Sequence, residues 1–228
     1  AGRAFEQVRN SIGYPHLNVK IGATHGGISV GEDGASHQCL EDLGLMRTIP
    51  GMVILNPADA VESNLAVKAA IDYEGPVYLR FGRLAVPTIF DENYKFEIGK
   101  GVELSDGTDV TLIGTGLMVP ACNEAKEILA AEGISARVIN MATIKPIDKE
   151  IIIKAAKETG AIVTAEEHNV IGGLGSAVAE VLVENAPVPM QRVGTQDVFG
   201  CSGKPYPLLE KYGLDAKTIA EKAKKAIA

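Results

Sequence analysis

The sequence has no tryptophan and only three cysteines, and aromatic residues make up 5% of its 228 residues. Cys39, Cys122 and Cys201 are widely spaced and form no CxxC pair, so reduced thiols are expected rather than a disulfide framework or a zinc site. The formal net charge is −7, and the basic residues are dispersed, which argues against a nucleic-acid surface or a polybasic membrane anchor. Because no apolar run has membrane-spanning length and no signal-peptide pattern opens the chain, we expect a cytoplasmic protein.

The first residues, AGRAFEQVRNSI, have a helical pattern in which Phe5, Val8 and Ile12 share one face. Neither an initiating Met nor an N-cap residue precedes this pattern. We therefore interpret the chain as a natural subunit, a fragment or a processed product that begins inside a helix.

Short apolar runs alternate with amphipathic helices along the rest of the chain, which predicts an α/β fold of two domains, each with a mainly parallel sheet flanked by helices. The rhythm breaks over 82–108, and we place the domain boundary near Asn93, giving domains at 1–92 and 93–228. Strands are predicted at 17–21, 52–55, 77–81, 110–113, 136–139, 161–165 and 190–193. Helices are predicted at 36–47, 59–73, 118–131, 148–159, 174–184 and 215–227, with Asp59 and Glu62 spaced as a capping pair.

The most polar stretch of the first domain, THGGISVGEDGASHQCLEDLGLMRTIP at 24–50, is a glycine-rich loop between a predicted strand and a predicted helix. Loops at the carboxyl ends of parallel strands face the ligand crevice of an α/β sheet. We therefore expect His25, Glu32, Asp33 and His37 to lie where a ligand binds, and the glycines to allow a close backbone approach.

Several interpretations of this loop remain open from the residues alone. Either histidine could simply hydrogen-bond and order the loop. A metal site is disfavoured because no HExxH or other compact ligand spacing occurs, and we predict no metal ligand in the chain. A serine nucleophile would need a GxSxG elbow, which is absent. Chemistry by a bound cofactor is the remaining option.

The loop and the SHQ, RTIP and NPAD motifs that follow it resemble the pyrimidine-domain segment of transketolases in order and spacing. The matching residues are Thr24, His25, Gly31, Glu32, Asp33, Gly34, His37, Gln38, Arg47, Ile49, Pro50, Pro57, Ala58, Asp59 and Glu62, followed by Arg80, Arg83 and Pro87. In the second domain, EEHNVIGGLGSAVAE at 166–180 is similar to the helix entry of the transketolase C-terminal domain. The resemblance covers essentially the whole chain and implies a partial pyrimidine-binding domain followed by a transketolase C-terminal domain, as in the C-terminal subunit of a split transketolase.

Transketolases use thiamine diphosphate and magnesium to move a two-carbon ketol unit from a ketose phosphate to an aldose phosphate in the pentose phosphate pathway. The resemblance implies that His25 and Arg83 contact the substrate phosphate and that Asp33 hydrogen-bonds the C2 hydroxyl of the sugar. It places His37 beside the reacting carbonyl and the cofactor, as the catalytic and cofactor-binding residue that donates to a developing alkoxide or transfers protons. Arg80 is left out, because at a strand end it could equally pair with a neighbouring carboxylate.

Glycines recur in the second domain as GTG at 114–116 and GGLG at 172–175, each between a strand and a helix. Neither forms a GxGxxG motif with an acid about twenty residues further on, so we favour tight turns over dinucleotide binding. His168 lies among Glu166, Glu167 and Asn169, and we predict that it orders a contact between domains or subunits.

The resemblance also implies what lies elsewhere. The glutamate that protonates the cofactor's pyrimidine ring, the aromatic residues that stack on that ring, and the diphosphate- and magnesium-binding domain have no counterpart in this chain. We therefore expect a separate N-terminal subunit or domain as partner, a homodimeric enzyme, and no activity from the chain alone. The alternatives are a 1-deoxyxylulose-5-phosphate synthase, a 2-oxo-acid dehydrogenase β subunit, or a non-catalytic dimerisation module; the GEDG loop with Glu32 favours transketolase over the synthase.

Overall fold

The computed structural model describes residues 1–228 and confirms an α/β fold with two mainly parallel sheets flanked by helices. The strands are β1 (Lys20–Ala23), β2 (Val53–Leu55), β3 (Val77–Arg80), β4 (Val102–Ser105), β5 (Val110–Gly114), β6 (Ala136–Asn140), β7 (Thr143–Lys145), β8 (Ile162–Asn169) and β9 (Met190–Thr195). One sheet has the order β1-β3-β2-β7 and the other has the order β4-β6-β5-β8-β9.

The helices are α1 (Phe5–Gln7), α2 (Asp42–Arg47), α3 (Ala60–Asp72), α4 (Met118–Ala131), α5 (Lys149–Thr159), α6 (Leu174–Asn185), α7 (Pro205–Lys211) and α8 (Ala216–Ile227). The short α1 continues into a π-helical turn at Val8–Gly13, and the glycine-rich loop contains a 3-10 segment at Ile28–Asp33. None of these helices combines the length and the apolar character that crossing a membrane requires.

Two strands run antiparallel to their neighbours: β4 pairs with β6, and β7 pairs with β2. The second pairing sets Lys145 opposite Ile54, although β7 follows β6 of the other sheet almost directly in the chain. The later half of the chain therefore supplies the edge strand of the sheet that the earlier half builds.

The two sheets share their apolar core. One buried cluster joins Ile28 of the glycine-rich loop to Leu112 of β5, and another joins Leu43 and Ile54 to Leu174 of α6. Burial of one such side chain stabilises a fold by about 1.5–3 kcal/mol. Where these two clusters lie, the interface between the halves is consequently packed like a protein interior.

Three predicted elements are placed differently in the structure. The first strand lies at Lys20–Ala23 rather than 17–21, and the N-terminal helical pattern forms short 3-10, α and π turns. The helix predicted over 36–47 begins at Asp42, because the Gly34 carbonyl accepts from the amides of His37 and Gln38 and holds that stretch in turns.

Three further elements, β4, β7 and α7, were not predicted. The strand β7 is only 3 residues long, and α7 begins inside the Gly- and Pro-rich stretch at 200–207, so neither has a clear local pattern. The strand β8 continues to Asn169, so the stretch at 166–180 begins at a strand end and leads into α6. The division at Asn93 stays a prediction.

Candidate active site

The carboxyl ends of the parallel strands in both sheets face each other. Asn56, just after β2, donates from Nδ2 to Oγ1 of Thr115, just after β5, at 3.1 Å. Arg80, the last residue of β3, donates from Nη2 to the carbonyl of Glu167 on β8 at 2.8 Å. The loops that leave these strands therefore meet at one junction, which is where ligands bind in open α/β sheets.

The glycine-rich loop leaves β1 and is fastened to this junction by its backbone. The Gly26 amide donates to the Phe81 carbonyl at 3.2 Å, and the Gly27 amide donates to the Cys39 carbonyl at 2.9 Å. Gly27 has φ 97°, and a Cβ there would collide with the Glu167 carboxyl group. Only glycine meets both conditions, so the close approach of this loop to β8 depends on it.

A buried charge network underlies the loop. Arg80 Nε donates to Asp42 Oδ2 at 2.9 Å, and the Tyr78 hydroxyl donates to the same oxygen at 2.8 Å. Burial alone would raise the pKa of Asp42, but the Arg80 guanidinium, His168 and the Tyr78 hydroxyl together outweigh burial and lower this pKa. Burial raises the pKa of Glu167, whose Oε1 accepts from the Ser29 amide at 2.5 Å. The Arg80 guanidinium is thus bound by groups within the protein.

The four residues predicted to form the site are all exposed, and they lie on or against the glycine-rich loop. Arg83 donates from Nη1 to the Val30 carbonyl at 3.1 Å and to Glu32 Oε2 at 3.3 Å, so it lies against the 3-10 segment that ends at Asp33. The structure therefore brings Arg83 and the acidic part of the loop together.

The two histidines lie on either side of this segment. His25 has a left-handed backbone with φ 60°, an uncommon conformation for a residue with a side chain. His37 follows the segment, its amide bonds to the Gly34 carbonyl at 3.0 Å, and its Nδ1 lies 3.1 Å from Ser36 Oγ.

Two cavities adjoin the loop. His37 and Gln38 line a cavity of about 800 Å³ whose wall includes Phe199, which is 90% exposed. A smaller cavity of about 270 Å³ lies between the sheets, with Ser29 and Arg80 in its wall. His25, Asp33 and Arg83 line neither cavity, so the four predicted residues lie on or against one loop but do not line one enclosed pocket.

The glycines at 172–175 have a structural role. The amides of Leu174 and Gly175 donate to the Glu166 carboxyl oxygens at 2.7 and 2.8 Å, so the amides at the start of α6 are already occupied by a side chain of the protein. This supports a tight turn rather than a dinucleotide site at 172–175. His168 is fully buried, and its Nε2 accepts from the Gly44 amide of α2 at 3.3 Å, which confirms the predicted contact between the halves.

Sequence reasoning missed the roles of Asp42, Tyr78 and Glu167 beneath the loop. The available signal was a charged residue inside an apolar strand run, as in PVYLRF at 76–81 and IVTAEEHN at 162–169. Such residues are rarely buried without a partner. Neither run identifies its partner, because the partners come from distant parts of the chain.

Nowhere do three His, Cys, Asp or Glu side chains converge in a way that could hold a metal ion. The acids nearest the cavity of about 800 Å³ are single residues in its wall, Glu41 and Asp197. This donor set does not fit a magnesium diphosphate, which needs several oxygen ligands around the cation. The cavity does offer an imidazole and an aromatic wall, which fit one face of a heteroaromatic ring.

Two family models match the chain: the transketolase pyrimidine binding domain over residues 1–88 and the transketolase C-terminal domain over residues 99–219. The chain belongs to the transketolase family. A protein of Methanocaldococcus jannaschii, provisionally named as a transketolase C-terminal section, is 51% identical over 225 residues, covering 97% of this chain and 70% of that protein. The 1-deoxy-D-xylulose-5-phosphate synthase of Heliobacterium modesticaldum is 40% identical over 97% of this chain and 35% of its own length.

A solved structure extends the likeness of this transketolase-family chain to three dimensions. A split gene transketolase, described as an inactive beta4 tetramer, superposes with a TM-score of 0.92 at 53% identity. The match covers 99% of this chain and 72% of that chain.

Proposed function

We propose that this chain is the C-terminal part of a transketolase and supplies the sugar-phosphate side of its active site. The observation that carries the proposal is that Asp33 and His37 are exposed on the glycine-rich loop at the carboxyl edge of the sheet, with Arg83 hydrogen-bonded against that loop. A ketol transfer from a ketose phosphate to an aldose phosphate needs a phosphate anchor, a group that reads hydroxyl stereochemistry and a proton donor at the carbonyl. The loop offers a candidate for each.

Arg83 and His25 are the proposed phosphate ligands. The guanidinium now pairs with Glu32, and both side chains are substantially exposed, at 38% and 58%. Exposed ion pairs of this kind contribute at most about 1 kcal/mol. A phosphate dianion makes a stronger, charge-assisted contact with arginine and would displace Glu32 at little cost.

Asp33 and His37 are assigned to the sugar and the reacting carbon. The Asp33 carboxylate accepts a hydrogen bond from the C2 hydroxyl and so discriminates between stereoisomers. The His37 imidazole donates to the oxygen on which negative charge develops and takes the proton back afterwards. Thiamine diphosphate, when bound, supplies the electron sink for this chemistry.

The cofactor's diphosphate and magnesium are assigned to a partner, since the chain lacks a suitable ligand cluster. His37 and the wall of the cavity near Phe199 would contact the ring side only. We therefore propose a diphosphate-binding N-terminal subunit or upstream domain, a homodimeric enzyme that acts in the cytoplasm, and no activity for the chain by itself.

The test is a reconstitution with xylulose 5-phosphate as donor and ribose 5-phosphate as acceptor. The chain alone is expected to give no product, and the complex with its diphosphate-binding partner is expected to be active. In that complex Arg83→Ala should raise KM for the donor about 10-fold or more, whereas His37→Ala should mainly lower kcat. Lys217→Ala, an exposed change on α8, is the control. Turnover by the chain alone, or an unchanged KM in Arg83→Ala, would contradict the proposal.

A second candidate is a deoxyxylulose phosphate synthase, favoured by the 40% identity to that enzyme from Heliobacterium modesticaldum. The same complex should then consume pyruvate in place of xylulose 5-phosphate. A chain that serves only in dimerisation would support neither reaction, and thiamine diphosphate with magnesium would leave the melting temperature of the complex unchanged.

A further inference from the structure

Gln38, the residue after His37, connects the two halves of the chain. Its side chain is buried, and Nε2 donates to the carbonyls of Ile28 at 3.3 Å, Gly31 at 3.3 Å and Cys201 at 2.9 Å. The first two carbonyls belong to the 3-10 segment that ends at Asp33, and the third belongs to the stretch before α7. A single amide group therefore links the proposed substrate loop to the C-terminal half.

Gln38 acts at the point where the loop bends. Gly31 has φ 81° and ψ −117°, which interrupts the 3-10 segment between Ile28 and Asp33. The Gln38 amide group holds the Gly31 carbonyl, and Arg83 Nη1 holds the Val30 carbonyl on the preceding residue. The direction in which Asp33 leaves the bend thus depends on these two donors.

Gly200 leaves room for this arrangement. A Cβ at position 200 would collide with Gln38 Oε1 and approach Ile28 Cδ1 to 2.6 Å. The backbone of Gly200 is not in the left-handed region, so the space and not the backbone conformation requires glycine. Gln38 Oε1 is itself buried without a hydrogen-bond partner, which is normally unfavourable and here accompanies the close packing on Gly200.

Two more contacts tie the same segments together. Ser202 Oγ donates to the Glu32 carbonyl at 2.6 Å, and Pro205 packs on Gly31. These contacts fall at the bend and on the residue after it, so the stretch 200–205 packs against the loop at its bend.

We propose that Gln38 is a positioning residue: it sets the bend of the substrate loop against 200–205, so that the C-terminal half determines where Asp33 and His37 stand. The consequence for sugar phosphates rests on the proposed function. The positioning itself can be tested on the chain without any assumption about its reaction.

The first experiment uses Gln38→Met, which keeps the side-chain volume and removes the donor. The chain has only 4 histidines, so the ring signals can be assigned by NMR with single substitutions. We expect the His37 ring signals to shift and amide exchange over 28–34 to quicken about 10-fold or more, with the exchange of the β5 amides unchanged. Gly22→Ala, which meets open space, should alter neither. Wild-type His37 signals and exchange in Gln38→Met would overturn the proposal.

The second experiment tests the contact with Gly200 as a double-mutant cycle. Gly200→Ala should disturb the His37 signals and the loop exchange in the wild-type background, because its methyl group displaces the Gln38 amide group. In a Gln38→Ala background the amide group is gone and only Ile28 Cδ1 stays close, so Gly200→Ala should add clearly less than in the wild-type background. Fully additive effects would show that the two positions act independently and would refute the coupling.

The third readout is kinetic, in the reconstituted complex. Gln38→Met should lower kcat/KM for the sugar phosphate about 10- to 100-fold, since displacements near 1 Å are costly to catalysis. Gln38→Glu has the same shape but lacks the amide donor, so it should be equally impaired. Activity recovered with glutamate would show that Gln38 only fills space. If the wild-type complex shows no ketol transfer, the proposed function fails, while the NMR result still decides the positioning.

Discussion

At the scale of single residues, the three cysteines show how strongly the surroundings set the chemistry of one side chain. Burial raises the pKa of Cys122 to about 12, and burial also raises the pKa of Cys39. Cys201 differs, because Tyr212 and Lys211 donate to its Sγ at 3.4 and 3.1 Å and lower its pKa.

We predict that Cys201 is the most reactive thiol of the chain. The thiolate is the nucleophile, so at pH 7 iodoacetamide should modify Cys201 about 10-fold faster than Cys39 or Cys122. Lys211→Met should slow this labelling, and Lys217→Met, on the exposed face of α8, should not. Peptide mass spectrometry over a time course measures the rates, and equal labelling of all three cysteines would contradict the prediction.

Residues of the site differ in how far the sequence foretells them. His25, Asp33, His37 and Arg83 belong to a motif whose order and spacing can be matched directly, and their roles stay predictions until kinetics test them. The role of Gln38 could not be foreseen, because its partner Cys201 lies 163 positions away. A contact between residues so far apart in the chain produces no periodic sequence pattern in either segment.

At the scale of secondary-structure elements, three helices begin with an aspartate that caps different numbers of amides. Asp215 accepts only from Thr218 on α8. Asp148 accepts from Ile151 on α5 and also from Gly101.

The third cap, Asp59 of α3, accepts hydrogen bonds from three amides. It accepts from Glu62 at 2.8 Å, as the sequence predicted, and its Oδ2 also accepts from Ile89 and Phe90 at 2.6 and 2.9 Å. The same carboxylate thus starts a helix and anchors the segment that leads to the second sheet.

These caps predict an order of stability losses. Asp215→Ala should cost about 1 kcal/mol, the usual loss for an N-cap. Asp148→Ala should cost about 2 kcal/mol and Asp59→Ala about 3–5 kcal/mol, because each change leaves further buried or half-buried amides without an acceptor. Urea denaturation of the three variants measures the losses. Equal losses of stability would mean that the hydrogen bonds from the amides of residues 89 and 90 contribute nothing beyond the helix cap.

Elements with strong local signals were foreseen, and those defined by distant pairing were not. The capped helices α3, α5 and α8 fall within a residue or two of their predicted bounds. The strands β4 and β7 exist because β6 and β2 offer them an edge, and segments of 4 and 3 residues carry too little pattern to show it.

At the scale of the whole molecule, the two sheets are joined by a shared core and by the Arg80 network. We therefore expect one cooperative unfolding transition, with tyrosine fluorescence and far-UV circular dichroism coinciding in urea. Arg80→Met should lower the free energy of unfolding by about 3–5 kcal/mol and move that single transition to lower urea. The reason is that Asp42 stays charged and buried without its partner.

The matched control also removes the buried charge of Asp42 that Arg80→Met leaves without a partner. Asp42→Asn combined with Arg80→Met should be less destabilised than the sum of the two single changes. Two separated transitions in the wild-type protein, or additive losses in the double variant, would show that the halves fold independently of this network.

The antiparallel pairing of β7 with β2 has a consequence for dissecting the protein. Cutting the chain at residue 92 would remove β7 and leave β2 with a bare, apolar edge, since Val53, Ile54 and Leu55 are all buried in the intact chain. Exposed edges of this kind recruit strands from other molecules. The first half expressed by itself is therefore a poor substitute for the whole and a ready seed for aggregation, whatever activity the intact chain supports.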